Sequence, residues 1–387
     1  ETALKNNPVI SAASGAMQVS RSRVGQARSN YYPQITASAG YSEYSLVTDP
    51  SNAHLNQYTG SVTVSQNIFD FGRTWNQVTV QQKNAVASGQ DLRNTTAAIV
   101  LNVKQAYYAL LQAEKNRDVL KETVKSFEQH LEQAQGFFDA GVKSKFDVTK
   151  AGVDLSNARL NLIRAENTLR IARVTLNNTM GLPDAPEYAI EDCLAFQKRT
   201  IAFEEARDRA YANRPDLQSV IARREAAEAS VSLARSNYLP TLSGNASYMR
   251  SDEKYVPEPS GWSAGVTVTV PLFSGFLTSY QVKEAKENLL VLRANEETLK
   301  QGILLDVQQA YLNLQEAEER VTVAELTVKQ AEENYEIARG RYDAGVGSPI
   351  EETDALVALS NARMSNIAAL SDYKVAEAAL VKAMGEQ

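Results

Sequence analysis

Few side chains in this sequence are equipped for chemistry. The chain carries two histidines, His54 and His130, and one cysteine, Cys193. Neither histidine has a Cys, His or carboxylate cluster beside it at metal-ligand spacing. Both are expected at the surface, and Cys193 is expected as a small buried or half-buried residue rather than a nucleophile. No GxxxxGK(S/T) or GxGxxG stretch is present, so no phosphate-cradling loop is indicated. What remains are carboxylates. Glu351 and Asp354 follow a tight turn and open a helical pattern, where the helix dipole favours negative charge. The sequence therefore points away from an enzyme and implies no metal and no cofactor.

Composition narrows the class. A net charge of −6 argues against a nucleic-acid partner, which needs clustered Lys and Arg. An apolar content of 43% can bury a core. No run of eighteen apolar residues exists, so no transmembrane helix is expected. The chain opens at ETALKNNP, which reads as a mature or trimmed start, so the compartment is not legible from a targeting segment.

The elements that must position the acidic pair occur twice. FFDAGVKSKFDVTKAGVDLSNAR at 137–159 returns as RYDAGVGSPIEETDALVALSNAR at 341–363. ARSNYYPQI at 27–35 returns as ARSNYLPTL at 234–242, and residues 102–181 align with 306–385 without a gap, at roughly 40% identity. The chain thus reads as a first repeat, 1–181, a linker, 182–213, and a second repeat, 214–387.

Each repeat has the same order of elements. Helices are expected at 9–31 and 215–238, ended by Pro33 and Pro240. Hairpins follow at 34–70 and 241–273. Ile35, Ala37, Ala39 and Tyr41 alternate with polar neighbours, as do Val266, Val268, Val270 and Leu272, and a period of two means strands. Each strand is about ten residues long, enough for a tilted β-strand to cross a bilayer. The intervening stretches, 45–57 and 250–262, are rich in turn residues and read as wet loops.

Long helical hairpins come next, at 74–180 and 277–384. From Thr74 to Phe138 there is no Pro, and a helix of that span would be about 95 Å long. Ala310, Leu314, Ala317, Val321, Ala324, Val328, Ala331, Tyr335, Ala338 and Tyr342 keep a 3.5-residue period. Phe127, Leu131, Ala134 and Phe138 belong to the equivalent series, and Ala355, Leu359 and Ala362 resume the second. Such a period imposes a coiled coil. The tips fall at 139–144 and 343–348. Gly141 and Gly345 suit the left-handed position that ends a helix, and Ser144 and Ser348 suit the caps of the returning helices.

The duplicated order of helix, β-hairpin, long helix, tight turn and return helix resembles the TolC-type outer-membrane efflux channel family. The residues that carry the likeness are the paired ARSNY segments, the junctions IFDFG (68–72) and LFSGF (272–276), and the two DAGV turns before LSNAR. The resemblance implies a mainly α fold with a small β part. It implies a homotrimer, in which a 12-stranded β-barrel continues into a periplasmic coiled-coil α-barrel. A separate physical point agrees: four strands cannot close a barrel, and an open edge cannot sit in lipid. The implied role is the passive exit duct of a tripartite efflux or type I secretion system, in the outer membrane of a Gram-negative bacterium. Its partners would be outer-membrane lipid, a periplasmic adaptor and an inner-membrane pump. The alternative is a non-channel periplasmic adaptor or coiled-coil scaffold.

The resemblance also assigns residues. Glu351 and Asp354 match the acidic positions lining the periplasmic constriction. Asp147 and Tyr342 match a pair that ties the hairpins together in the closed state. Asp139, Ala140, Gly141, Val142 and Ser144 at the first tip, with Asp343, Ala344, Gly345, Val346 and Ser348 at the second, are the expected adaptor contacts. Some members carry a basic residue two positions after the tip glycine. This chain has Gly347 there, so that salt link is missing. Lys150, not Asp154, occupies the first-repeat position that matches Asp354, which breaks the symmetry of the duplication.

Overall fold

The protein is described here from a computed structural model covering residues 1–45, 54–186, 188–252 and 259–386. The elements are α1 (Thr2–Asn6), α2 (Pro8–Arg28), β1 (Gln34–Ser45), β2 (His54–Phe69), α3 (Arg73–Asp139), α4 (Lys145–Met180), α5 (Phe203–Asn213), α6 (Pro215–Ser236), β3 (Thr241–Asp252), β4 (Pro259–Thr269), α7 (Leu277–Asp343) and α8 (Pro349–Ala383). The expected helix–hairpin–long-hairpin order is present twice. Two compact units form, and each draws on both repeats. One comprises Glu1–Ala13, Leu92–Pro215 and Lys300–Gln387, the other Ser14–Asp91 and Asp216–Leu299.

The second of these units contains the sheet. Its strands run antiparallel in the order β1-β2-β3-β4, so β1 and β4 are its edges. The register aligns Ala37, Val62, Tyr248 and Trp262 across all four strands, with Ile35, Val64, Ala246 and Ala264 in a neighbouring row. The opposite face carries Thr36, Thr63, Ser247 and Ser263. Hydroxyls pair across that face, Ser38 with Ser61 at 2.8 Å and Ser247 with Ser263 at 2.9 Å. Much of the apolar face is exposed among the described residues: Ile35 is 69% exposed, Val266 65% and Trp262 79%.

Two expectations are corrected here. β4 ends at Thr269, so Val270 and Leu272 lie beyond it. The reason is Pro271, which has no N–H to give to a ladder. His54, expected in a loop, is the first residue of β2. The last part of the 182–213 linker is α5, which buries Ala206 and Ala210. The loop readings over 46–53 and 253–258 lie outside the described residues.

Helix α6 packs the sheet-bearing unit through Leu217, Ala222, Ala226 and Val231. Asp91 on α3 accepts from Ser219 and Arg223, both at 2.6 Å, and Lys83 reaches Glu225 at 2.6 Å.

The first unit is built on the helical hairpins. Ala is frequent at the seam positions, and small side chains let helix axes approach closely. Leu314, Ala317, Val321, Ala338 and Tyr342 are buried on α7, and Ala355, Leu359, Ala362, Ala369, Tyr373, Ala376 and Leu380 on α8. Val124 and Phe127 of α3 join Leu155 and Ala158 of α4 and Leu356 of α8 in one apolar cluster. Thr123 of α3 also donates to Ser360 of α8 at 3.1 Å. The first-repeat and second-repeat hairpins therefore pack on each other within this unit. Phe138, expected on the seam, is 39% exposed.

Candidate functional site at the hairpin tips

Both tips end their long helix in the same way. At the first, Gly141 takes φ 72°, its N–H reaches Phe138 O at 2.9 Å, and Val142 N–H reaches Phe137 O at 2.9 Å. At the second, Gly345 takes φ 76°, with its N–H to Tyr342 O at 2.9 Å and Val346 N–H to Arg341 O at 3.1 Å. This pair of bonds satisfies the last carbonyls of a helix and needs a residue that tolerates the left-handed conformation. Ser348 Oγ then accepts from Ile350 N at 3.2 Å and starts α8. Asp139, Ala140, Ala344 and Val346 are exposed, and Val142 is 66% exposed.

Gly347 has a steric cause. A Cβ on it would stand 2.8 Å from Tyr342 N and 2.9 Å from Arg341 C. The chain turns too tightly there for any side chain, so a basic residue at this position would need a different tip.

The first turn of α8 splits its acidic residues. Glu351 and Asp354 are exposed, whereas Glu352 between them is buried. Glu351 Oε2 lies 3.6 Å from Arg341 Nε, a pair exposed enough to be worth little. On α4 the matching position behaves differently: Lys150 binds Asp154 at 2.6 and 2.7 Å.

The expected Asp147–Tyr342 bond is not formed in this structure. Asp147 instead accepts from the backbone N–H and the hydroxyl of Ser144, both at 3.0 Å, and so caps α4. Tyr342 is fully buried and its hydroxyl has no partner. Phe137 meets its ring edge-on at 5.8 Å, and Lys143 Nζ sits 5.6 Å from its centre. Burial first, then the charges of Glu352, Asp147 and Asp343, pushes the Tyr342 phenol above its ordinary value.

Sequence reasoning missed two residues of this cluster. His130, expected at the surface, is buried at 7% exposure, with its ring 5.2 Å from that of Tyr342. Its Nδ1 stands 3.0 Å from Glu352 Oε2. A signal was available, since His130 sits three residues after Phe127 and four before Ala134, and Glu352 three before Ala355. Both occupy seam positions that an apolar-only pattern skips. Cys193 departs the other way: it is exposed, because the segment from Tyr188 to Ala202 lies extended over the helices.

Among the described residues no group of His, Cys, Asp and Glu could hold a metal ion. No described helix is long and apolar enough to cross a membrane. What the arrangement offers is mechanical: two long hairpins end in capped tips, with acidic side chains exposed at both.

Known proteins share this fold. The family described as outer membrane efflux protein matches residues 1–182 and 206–386. The outer membrane protein TolC of Escherichia coli (strain K12) is 22% identical, over 98% of this chain and 80% of that one. Protein CyaE of Bordetella pertussis is 26% identical, over 100% of this chain and 83% of that one. The crystal structure of CusC, described in terms of transmembrane channel formation, superposes with a TM-score of 0.87 at 18% identity, covering 100% of this chain and 91% of that one. Both repeats fall inside the family match, interrupted only over 183–205, and the chain belongs to the outer membrane efflux protein family.

Proposed function

We propose that three copies of this chain form the outer-membrane exit duct of a tripartite efflux or type I secretion system. The observation that carries this reading is the sheet. It has two unpaired edges, one exposed apolar face and one hydroxyl-lined face. In lipid every backbone polar group needs a partner, so β1 of one copy must pair with β4 of the next. Three copies give twelve strands, an even number that closes around a lumen, with the apolar rows toward lipid and the hydroxyls toward water. A scaffold built from the same helices would have no use for such a sheet.

The helical hairpins extend the duct into the periplasm, and their tips form its gate. Glu351 and Asp354 of three copies would converge on the constriction and concentrate negative potential there, which favours cations. The tip residues Asp139 to Ser144 and Asp343 to Ser348 would receive the periplasmic adaptor, which couples the duct to an inner-membrane pump. Closing would transfer Asp147 from Ser144 to the unpartnered Tyr342 hydroxyl.

Detergent-extracted protein should run as a heat-modifiable trimer and give small, discrete conductance steps in planar bilayers. A monodisperse monomer that needs no detergent and makes no channel would remove this reading.

A further inference from the structure

Three buried polar atoms meet beneath the second tip, and none makes an aligned hydrogen bond: His130 Nδ1 on α3, Glu352 Oε2 on α8 and Tyr342 Oη at the end of α7. The His130 and Glu352 side chains are 6% and 8% exposed, and Tyr342 is fully buried. Tyr342 and Glu352 bracket the tip, so whatever holds them to His130 holds the tip to the first-repeat helix. Leaving such atoms unpaired costs stability, and an apolar trio of the same volume would pack more favourably. A buried polar trio at this place is therefore the feature that packing alone does not account for.

We infer that His130 is a positioning residue for the gate: with Glu352 it forms a proton-operated clamp that holds the α7–α8 tip against α3. The argument rests on the gating role proposed above for the tips. A protonated imidazole 3.0 Å from a buried carboxylate makes a charge-assisted pair. When the imidazole loses its proton, the charge-assisted attraction is lost, in a place where water cannot replace it. The clamp is thus tight while the imidazole carries its proton and loosens when the proton leaves, the change of charge for which histidines in general serve as switches between about pH 5 and 8.

The other groups facing the pair do not supply this step. From α7 come Tyr342, Asp343 and Tyr335, from α4 Asp147, and from the first tip Lys143. Asp343 is already held by Gln133 at 2.8 Å and Asp147 by Ser144. Carboxylates release their protons at lower pH, and phenols and ammonium groups at higher pH, than imidazoles.

The test is single-channel conductance of the trimer in planar bilayers across that interval. In the wild type the open fraction should rise by about fivefold or more from the acidic to the alkaline end, the lower limit of ordinary coupling between sites. His130→Gln and Glu352→Gln should each remove the step, and the double variant should behave as either single one, because the two act as a pair. His54→Gln, which changes the other histidine, should keep the step. A second readout covers variants that fail to assemble: hydrogen exchange of residues 341–352 in the wild type, corrected for intrinsic rates, should show greater protection at the acidic end. A wild type with no step, a His130→Gln channel that keeps it, or protection independent of pH would each overturn the clamp. A protein that forms no channel would remove the proposed function instead, and the exchange measurement would still decide the clamp.

Discussion

Gly385 is pressed against the backbone of Arg214: a Cβ on it would stand 2.6 Å from Arg214 N. Its repeat counterpart, Gly181, lies equally close to Asn6, with 2.6 Å to Asn6 O. Both take φ 76°. The return helix of each repeat thus docks on the segment that opens the same repeat, with α1 leading to Pro8 and α5 to Pro215. Left-handed backbone and the missing side chain are required together. Gly181→Ala and Gly385→Ala should each cost about 2 kcal/mol or more, through strain plus displaced backbone. The temperature at which the proposed trimer dissociates on a gel would register this. An unchanged value for both would show that the close approach relaxes freely.

The two faces of the sheet should respond oppositely to charge. Val62 lies in the apolar row and Thr63 in the hydroxyl row. In the proposed barrel Val62→Lys places an ammonium on the lipid side, at a cost of about 2–4 kcal/mol near the middle of the bilayer, and should lower the yield of assembled trimer. Thr63→Lys should assemble normally and shift ion selectivity toward anions. Equal assembly of the two variants would contradict the assigned faces.

Tyr342 and Asp147 test the closed state. Since the Tyr342 hydroxyl has no partner in this structure, Tyr342→Phe should leave the stability of this state within about 0.5 kcal/mol. Asp147→Ala should cost about 1 kcal/mol by removing the cap of α4. If the two residues bond on closing, the Tyr342→Phe/Asp147→Ala channel should conduct more than the wild type. Conductance equal to wild type would argue against the latch.

Glu351 and Asp354 are exposed and should govern ions rather than folding. Replacing both with Ala should leave trimer stability within about 0.5 kcal/mol. It should reduce cation preference and weaken block by multivalent cations severalfold. Reversal potentials under a salt gradient would measure this, and unchanged selectivity would place the pair away from the constriction.

Acid should loosen the extended linker. The hydrogen bond from Lys115, at 2.6 Å, followed by the Leu194 backbone N–H, holds the Asp192 carboxyl below its ordinary value. A depressed carboxyl contributes stability that is present above its unfolded value and is lost as pH falls through its folded one. Hydrogen exchange over 188–202 should therefore rise as pH drops below about 4. Asp192→Asn should raise that exchange at neutral pH and remove the acid dependence. Because both side chains are well exposed, the effect should be local and should leave the trimer intact.

Much of this molecule was legible in one dimension because its elements are long and strictly periodic. The heptads of 310–342 and 355–383, the alternation at 35–41 and 62–64, the tip glycines and the duplication are local patterns. Each states its own backbone conformation without reference to a partner. The limits of the elements were less legible where one residue overrides a pattern, as Pro271 does when it ends β4 before Val270 and Leu272.

Burial around the tips was only partly legible that way, because the seam spacing of His130 and Glu352 does not say which seam faces a neighbour. A heptad records that a helix has a seam, not how many neighbours it has. Helix α3 packs against both α4 and α8, so His130, off the seam that Leu131 marks, lies on a second one. Glu352 and Tyr342 join it from more than two hundred residues along the chain. The exposure of Cys193 and the close backbone approach at Gly385 have the same origin. The amino-acid sequence by itself determined the kind of each element and their duplicated order, because those follow from short-range spacing. Only the tertiary structure decided which polar groups lost their water, because that depends on surfaces supplied by distant parts of the chain.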